Sequence, residues 1–435
     1  MSFFRKTLPI PAILLFMVTT SGLAQTYDEV MKTYWNVFGF GASSFTLLNN
    51  SQLATDISST QSNPAFLTNI KRPKAVISGQ GISVHKQSTL ESYSDLVNQK
   101  YSTSVNEYNI DYIGFAYPVP VYQGSLVLAA SYSPAAYYYS SVLSKGSTVA
   151  TYGAYNIDTD LEYDTRESGS INIFKLAGAT EFMKNFNIGM SLNFYSGERS
   201  YQSSETDYDP DDNMIYNSLV YTEDIRPGYS GFNIDFGMCY QSEKYKAGLR
   251  ISTPLNLSIH EVSELSEDYI YNTVDTLNVY SYDFEYKSCY PLEIAPNFAI
   301  KIANISLGMD LIFHNWKKIE VDLLEDKSDI NHDLYWNLKN TTDISATVAI
   351  PFGNSISTRF AYRLVESPYE NVADDESYYH VLGAGVETIL NKSVIVGCSY
   401  QRGFGNLSNF YPYFETTTYQ KYTEDRLSLS LAVLF

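Results

Sequence analysis

The segment FNIGMSLNFY, residues 186–195, puts Phe186, Ile188, Met190, Leu192 and Phe194 on one side of an extended chain. Asn187, Gly189, Ser191, Asn193 and Tyr195 fall on the other. Successive strand side chains point to opposite faces, so such a segment has one apolar and one polar face. GFNIDFGMCYQ repeats the pattern, with Phe232, Ile234, Phe236, Met238 and Tyr240 set against Asn233, Asp235, Gly237, Cys239 and Gln241. Leu427, Leu429, Leu431, Val433 and Phe435 do the same at the C-terminus. One alternating strand also suits a half-solvated sheet of a soluble protein; the spacing of many decides. Fourteen such segments lie near 73–86, 108–118, 124–136, 167–183, 186–202, 229–241, 245–260, 286–303, 304–320, 338–350, 355–367, 377–390, 392–402 and 424–435. Short turns at Pro118–Gln123, Lys184–Asn185, Ser242–Lys244, Ala303–Asn304, Pro351–Asn354 and Asn391–Lys392 alternate with long connections. Short turns on one side and long loops on the other are the pattern of an all-β transmembrane antiparallel barrel, and an even strand number puts both termini on the short-turn, periplasmic side. A one-residue slip would place Asp235 in lipid, so the register is strongly specified.

The rest of the chain is consistent with a bacterial outer membrane. After Ala24 no apolar run approaches the roughly 18–20 residues of a membrane-spanning helix, which excludes a helical membrane protein. The chain holds 39 Tyr and 23 Phe but only 18% charged residues, an aromatic excess of the kind barrel girdles need. Arg5 and Lys6, the apolar run Leu8–Val18 and Gly22-Leu23-Ala24 read as a signal peptide over residues 1–24. No cysteine follows its cleavage site, so no lipid anchor is expected. Removing that leader takes the formal charge from −19 to −21, which excludes nucleic acid as a partner. Glu205–Asp224 and Glu261–Glu285 hold seven carboxylates each and are expected on long external loops. Cys239, Cys289 and Cys398 are odd in number and far apart, so no disulfide framework is expected.

Chemistry by side-chain grouping is not suggested. His85, His260, His314, His332 and His380 are scattered, with no pair at metal-ligand spacing and no Ser/His/acid grouping, so neither catalysis, a metal nor a cofactor is expected. Asp207, Asp209, Asp211 and Asn213 have the every-second-residue spacing of a calcium loop. Asp212 stands where that loop needs Gly and Ser218 where it needs Glu, so an EF-hand is rejected. Lumen-facing charges at Asp235, Lys246, Arg250, Glu293, Lys301, Asp310, Arg359 and Arg363 are expected to pair with one another or with a plug, because buried charges need partners.

Residues 25–72 are too many for a leader into the first strand. They contain FGFGA at Phe38–Ala42 and DISSTQSNPAFL at Asp56–Leu67. This resembles the N-terminal hatch of the long-chain fatty-acid transporter family (FadL type), with Asn63, Pro64 and Ala65 matching its Asn-Pro-Ala. The likeness continues through EFMKNFNIGMSLNF at Glu181–Phe194, through Gly231–Pro254, through Asp310 with Trp316 six residues on, and to Ser367-Pro368. It implies a hatch over 25–72 plugging a barrel over 73–435. It also implies passive uptake of a hydrophobic small molecule such as a long-chain fatty acid, leaving sideways where the third strand is interrupted. Pro134 is the expected interruption, since proline removes a ladder donor, and an ordinary strand end there is the alternative. Asn63 is expected to hold the hatch, with Phe38, Phe40 and Phe66 as either passage lining or hatch core. Some relatives of the family serve protein secretion as outer-membrane shuttles, which is the alternative function. The remaining expected partners are outer-membrane lipid and lipopolysaccharide, and the insertion machinery, which would read the last strand ending at Phe435; the acidic segments are expected to be solvated loops, with cation bridging to lipopolysaccharide as the alternative. A monomer is expected.

Overall fold

The computed structural model describes residues 57–91, 100–152, 155–209, 217–271, 275–322, 327–370, 373–411 and 416–435. The expected signal peptide, Phe38 and Phe40 lie outside them. Eighteen antiparallel strand segments form a single sheet. They are β1 (Lys74–Glu91), β2 (Lys100–Val119), β3 (Leu126–Tyr137), β4 (Ser140–Tyr152), β5 (Tyr155–Met183) and β6 (Phe186–Tyr208). There follow β7 (Ser218–Gln241), β8 (Tyr245–Ser252), β9 (Leu255–Ile270), β10 (Thr276–Tyr290), β11 (Glu293–Ile302) and β12 (Ile305–His314). The last six are β13 (Glu320–Asp322), β14 (Thr341–Phe352), β15 (Ile356–Glu366), β16 (Tyr378–Asn391), β17 (Val394–Tyr411) and β18 (Thr416–Leu434). Four positions in the wall are occupied by two consecutive segments each: β3 with β4, β8 with β9, β10 with β11, and β12 with β13. The wall is therefore the expected closed fourteen-strand barrel. Pro254 and Pro291, which cannot donate to a ladder, stand at two of the breaks.

β1 pairs with β18 from Lys74↔Leu434 to Glu91↔Thr417, which closes the sheet. The Phe435 amide donates to Pro73 O at 2.9 Å, and Arg72 donates to both the Phe435 and Lys392 carbonyls at 3.3 and 3.0 Å. The alternation holds in detail. Ile188, Met190, Phe194, Phe232, Phe236, Met238, Leu427, Leu429 and Leu431 are exposed on the outer face, while Asn187, Ser191, Asn193, Asn233, Asp235 and Ser428 are buried on the inner one. About ten residues at 3.3 Å each make a belt of about 30 Å, the thickness of a bilayer core.

The strands run well past that belt, and this corrects the expected loop lengths. The acidic segment 205–224 lies largely on β6 and β7, and 261–285 largely on β9 and β10, rather than on loops. β2 begins at Lys100 and β5 at Tyr155, well before the expected starts, whereas β12 stops at His314. Beyond the lipid the outer face meets water while the inner face buries polar residues such as Ser203, Asp207, Glu261, Ser263 and Glu267, so the ladder continues there without the hydrophobic period that marks it in the belt.

Two apolar clusters fill the lumen. The lower one joins Ile57, Leu67 and Ile70 to a wall of small residues that includes Ala116, Ala129, Ala177, Ala179 and Ala432. The upper one joins the inward side chains Leu255, Leu257 and Ile259 to Trp316, Val321 and to Leu334 and Leu338 at helix α2 (Lys327–Asn337), counting α1 as Ser59–Ser62. Trp316, buried to 2% exposure, donates its indole N–H to Thr341 Oγ1 at 2.7 Å.

Candidate functional site

The part of the expected hatch that is described, residues 57–70, packs against the inner wall. α1 ends at Asn63, and a 3-10 turn follows over Pro64–Asn69. Asn63 caps that turn: its Oδ1 accepts from the Ala65 amide at 3.0 Å, the bond an N-cap asparagine characteristically makes. Pro64 occupies the first position of the turn, where its missing N–H costs nothing. The Asn63 Nδ2 donates to the Met238 carbonyl on β7 at 3.3 Å, and the residue is fully buried. Backbone lying away from the wall ladder is thus satisfied by its own cap and by the wall.

Three glycines make this seat. A Cβ at Gly189 on β6 would lie 2.6 Å from Ala65 N. One at Gly237 on β7 would lie 2.2 Å from Asn63 Oδ1, and one at Gly248 on β8 3.1 Å from Asn63 Nδ2. Gly189 and Gly237 are direct cross-strand partners, so the slot is a continuous notch in the inner face. Periodicity assigns these glycines to the lumen side but is silent on what fills the space. Phe66 is 1% exposed and packs with Ala65 and the buried Cys239. Its packing is that of the second of the two expected readings, a core residue of this segment.

A few strands from this seat, between β2 and β3, the wall parts. β2 and β3 pair only from Ile113↔Tyr132 to Val119↔Leu126. Just above, the β1–β2 register slips, with Asp111 as the extra residue on β2. The β3–β5 register slips between Pro134 and Ala136. Two bulges at one level re-aim both strands, as bulges do. Pro134 lies inside β3, two residues past its last pair with β2, and the segment continues to Tyr137. From there the chain turns inward. Tyr137 Oη meets Gln80 of β1 and donates to Asn109 Oδ1 at 3.0 Å, and the Arg426 guanidinium of β18 lies 5.3 Å from its ring. The inward hydroxyls Ser88 and Thr103 donate to the Leu143 and Ser141 carbonyls of β4.

A cavity of about 210 Å³ lies between the plug and the upper cluster. Ala135, Ile171, Ile173, Leu255, Leu257 and Ile312 give it an apolar side, and Gln61 of α1 borders it. Its polar side is a chain of paired charges. Lys175 Nζ lies 3.1 Å from Asp235 Oδ2, which also accepts from Ser191 at 3.1 Å, while Asp235 Oδ1 accepts from Ser252 at 2.6 Å. Arg250 bridges Asp235 and Glu293; His314 lies 3.5 Å from Glu293 and 3.3 Å from Asp343; Arg363 donates to Asp343 at 2.7 Å. Lys175 Nζ also reaches the Thr60 carbonyl at 3.5 Å, tying the network to the plug.

Of the lumen charges expected from sequence, Asp235, Arg250, Glu293 and Arg363 meet here. Arg359 pairs instead with Glu387 at 3.1 Å, Lys246 is half-buried, and Lys301 is exposed near the short-turn end. Asp310 is buried with neither carboxylate oxygen hydrogen-bonded among the described residues. Sequence reasoning missed Lys175, His314 and Asp343. For Lys175 a signal exists, because it keeps the inward register between Ile173 and Ala177.

A closed fourteen-strand antiparallel wall with residues 57–70 seated inside it is a barrel fold that this chain shares with solved outer-membrane proteins of the FadL type. A FadL homologue of Pseudomonas aeruginosa superposes with TM-score 0.61 at 10% identity, covering 93% of this chain and 100% of that one. The toluene transporter TodX of P. putida gives 0.59 at 10% identity over 92% and 99% of the two chains. The toluene transporter TbuX of Ralstonia pickettii gives 0.53 at 11% identity over 92% and 99%. No curated protein matches the sequence. The BamG family model matches residues 6–364, and the chain belongs to the BamG family.

Proposed function

We propose that this barrel carries a hydrophobic small molecule across the outer membrane by passive diffusion. The molecule rests in the cavity above the plug and leaves sideways at the parting of β2 and β3. In this reading the short-turn end and both termini are periplasmic, and residues 1–24 are removed on export. One observation carries the proposal: Ala135, at the β3 bulge where the two strands separate, also lines the cavity. An apolar cavity of about 150 Å³ holds benzene, so 210 Å³ suits one substituted aromatic ring or one end of a longer chain. That TodX and TbuX are toluene transporters supports the same size class. The charges beside the cavity already have partners, so they favour a ligand with a polar end that hydrogen-bonds, not one that brings an unpaired charge.

The family name supports a second reading. BamG shares its stem with the Bam machinery that inserts barrels into the outer membrane, so the chain would be a subunit or client of that machinery. A third use of such a barrel, as a shuttle in protein secretion, would likewise need a protein partner. Proteoliposomes offered labelled fatty acids and monoaromatic hydrocarbons separate transport from the others. Saturable uptake that falls at least tenfold in Ala135→Trp, with the barrel still folded, supports transport. No uptake of any panel member, together with co-purification of insertion or secretion subunits in mild detergent, would overturn it.

A further inference from the structure

The polar groups around the cavity fall into two sets. The charged ones are paired with one another: Lys175 with Asp235, Arg250 with Glu293, and Arg363 with Asp343, which also meets His314. An entering carboxylate finds each cation already held by an acid, and an entering ammonium finds each acid already held by a cation. Either would be buried without a partner of its own, which is costly. The uncharged groups differ, because the chain around them leaves hydrogen-bonding capacity over.

Thr253 stands between β8 and β9, just ahead of Pro254. Its amide donates to the Ile234 carbonyl at 2.8 Å, and its Oγ1 accepts from the Ile234 amide at 2.9 Å. The hydroxyl proton of Thr253 has no acceptor among the described residues, since the hydroxyl both donates and accepts and only the second capacity is used. Tyr195 on β6 donates its Oη–H to Asn233 Oδ1 at 3.4 Å and keeps its oxygen lone pairs. Asn233 joins the two, because its Nδ2 donates to the Thr253 carbonyl at 3.4 Å. Tyr195 and Thr253 are both half-buried and both border the cavity. One hydrogen-bond donor and one acceptor therefore stand together beside a space whose other side is Ile171, Ile173, Leu255 and Leu257.

We infer that the ligand of this cavity is a neutral hydroxylated aromatic, a phenol and not a plain hydrocarbon or a carboxylate. Its O–H donates to Tyr195 Oη, its oxygen accepts from the Thr253 hydroxyl, and its ring lies on the apolar side. A hydrocarbon of the same shape leaves both groups unpaired, and a site that hydrogen-bonds a hydroxyl discriminates against the analogue lacking one. The inference rests on the transport reading above, which makes the cavity a ligand site.

The test is equilibrium dialysis of radiolabelled p-cresol, toluene and p-toluate against the full-length barrel in detergent micelles, with empty micelles as the blank. The three compounds differ only in carrying a hydroxyl, a hydrogen or a carboxylate opposite the methyl group. p-Cresol should bind saturably and about tenfold more tightly than toluene, the worth of one net hydrogen bond, with p-toluate weakest. Tyr195→Phe and Thr253→Val should each erase that preference and leave toluene unchanged, whereas Thr253→Ser, which keeps the hydroxyl, should retain it. Toluene or p-toluate binding as tightly as p-cresol would overturn the inference and leave the transport reading standing. So would a preference that survives in Tyr195→Phe and Thr253→Val, or saturable binding of a long-chain fatty acid but of none of the three. Binding of no compound at all would overturn the transport reading, and the inference with it.

Discussion

Gly237→Ala should unseat the plug. The added Cβ would stand 2.2 Å from Asn63 Oδ1, 2.9 Å from Ala65 N and 3.0 Å from Pro64 Cδ, so the plug must move by about an ångström. That motion breaks the Asn63–Ala65 cap and the Asn63–Met238 bond. A lost cap costs about 1 kcal/mol, a lost hydrogen bond about 1 kcal/mol, and overpacking 1–3 kcal/mol. These terms overlap, so about 3 kcal/mol is a fair total, or roughly a hundredfold in the balance between seated and unseated plug. Asn63→Ala removes the two bonds without the clash and should shift it by about tenfold to thirtyfold. Hydrogen exchange of residues 57–70 in detergent-solubilised barrel reads this directly, and ion conductance in planar bilayers reads whether the lumen opens. Gly79→Ala is the control, since its Cβ would meet only Asn109 O at 3.6 Å. If Gly237→Ala and Gly79→Ala protect residues 57–70 equally, the glycine notch does not hold the plug and the reasoning fails.

Two further substitutions test the interior. Lys175→Met strands Asp235, which keeps its two serine hydroxyls but loses its nearest cation; breaking a buried pair costs about 3–5 kcal/mol, and the lower figure applies here. The barrel's thermal midpoint should fall, and adding Asp235→Leu should recover part of the loss; an unchanged midpoint in Lys175→Met would refute the pairing argument. Glu205, on β6 above the lipid belt, has its carboxyl pushed up to about 7 by burial and then by Asp207. A raised folded-state value means the stabilisation is whole below the unfolded value of about 4.3 and is lost as pH climbs through 7. Exchange protection around residues 203–207 should therefore decline between pH 4.5 and 7.5, and Glu205→Gln should flatten that decline; a wild-type profile in the variant would count against it.

The lipid belt was legible because a bilayer imposes one strict rule on each strand, and Asp235 could satisfy it in only one register. Asn63-Pro64-Ala65 stood out in the sequence only through resemblance, while the glycine notch that it meets did not stand out at all. A glycine in an alternating strand looks like any small inward residue until its neighbour is known. The extensions of β5–β7 and β9–β10 were misread as loops because an outer face in water and an inner face that buries polar residues erase the period. Lys175, His314 and Asp343 were overlooked for a different reason: their pairing depends on which strands become neighbours across the barrel. Helix α2 carries no strong amphipathic pattern, since its large aromatics Tyr335 and Trp336 are exposed beside the buried Ile330 and Leu334.

The ladder between β1 and β18 joins residues more than three hundred positions apart. Closing so long a loop is entropically modest, because the cost grows only with the logarithm of length. What is severe is the state just before closure, with two bare strand edges in hydrocarbon and every unmet amide there costing several kcal/mol. No stable intermediate with fewer strands is available to this chain in lipid. Entry into the bilayer and joining of Phe435 to Pro73 are therefore one event, and a chain lacking its last strand should be lost to proteolysis rather than stored half-built.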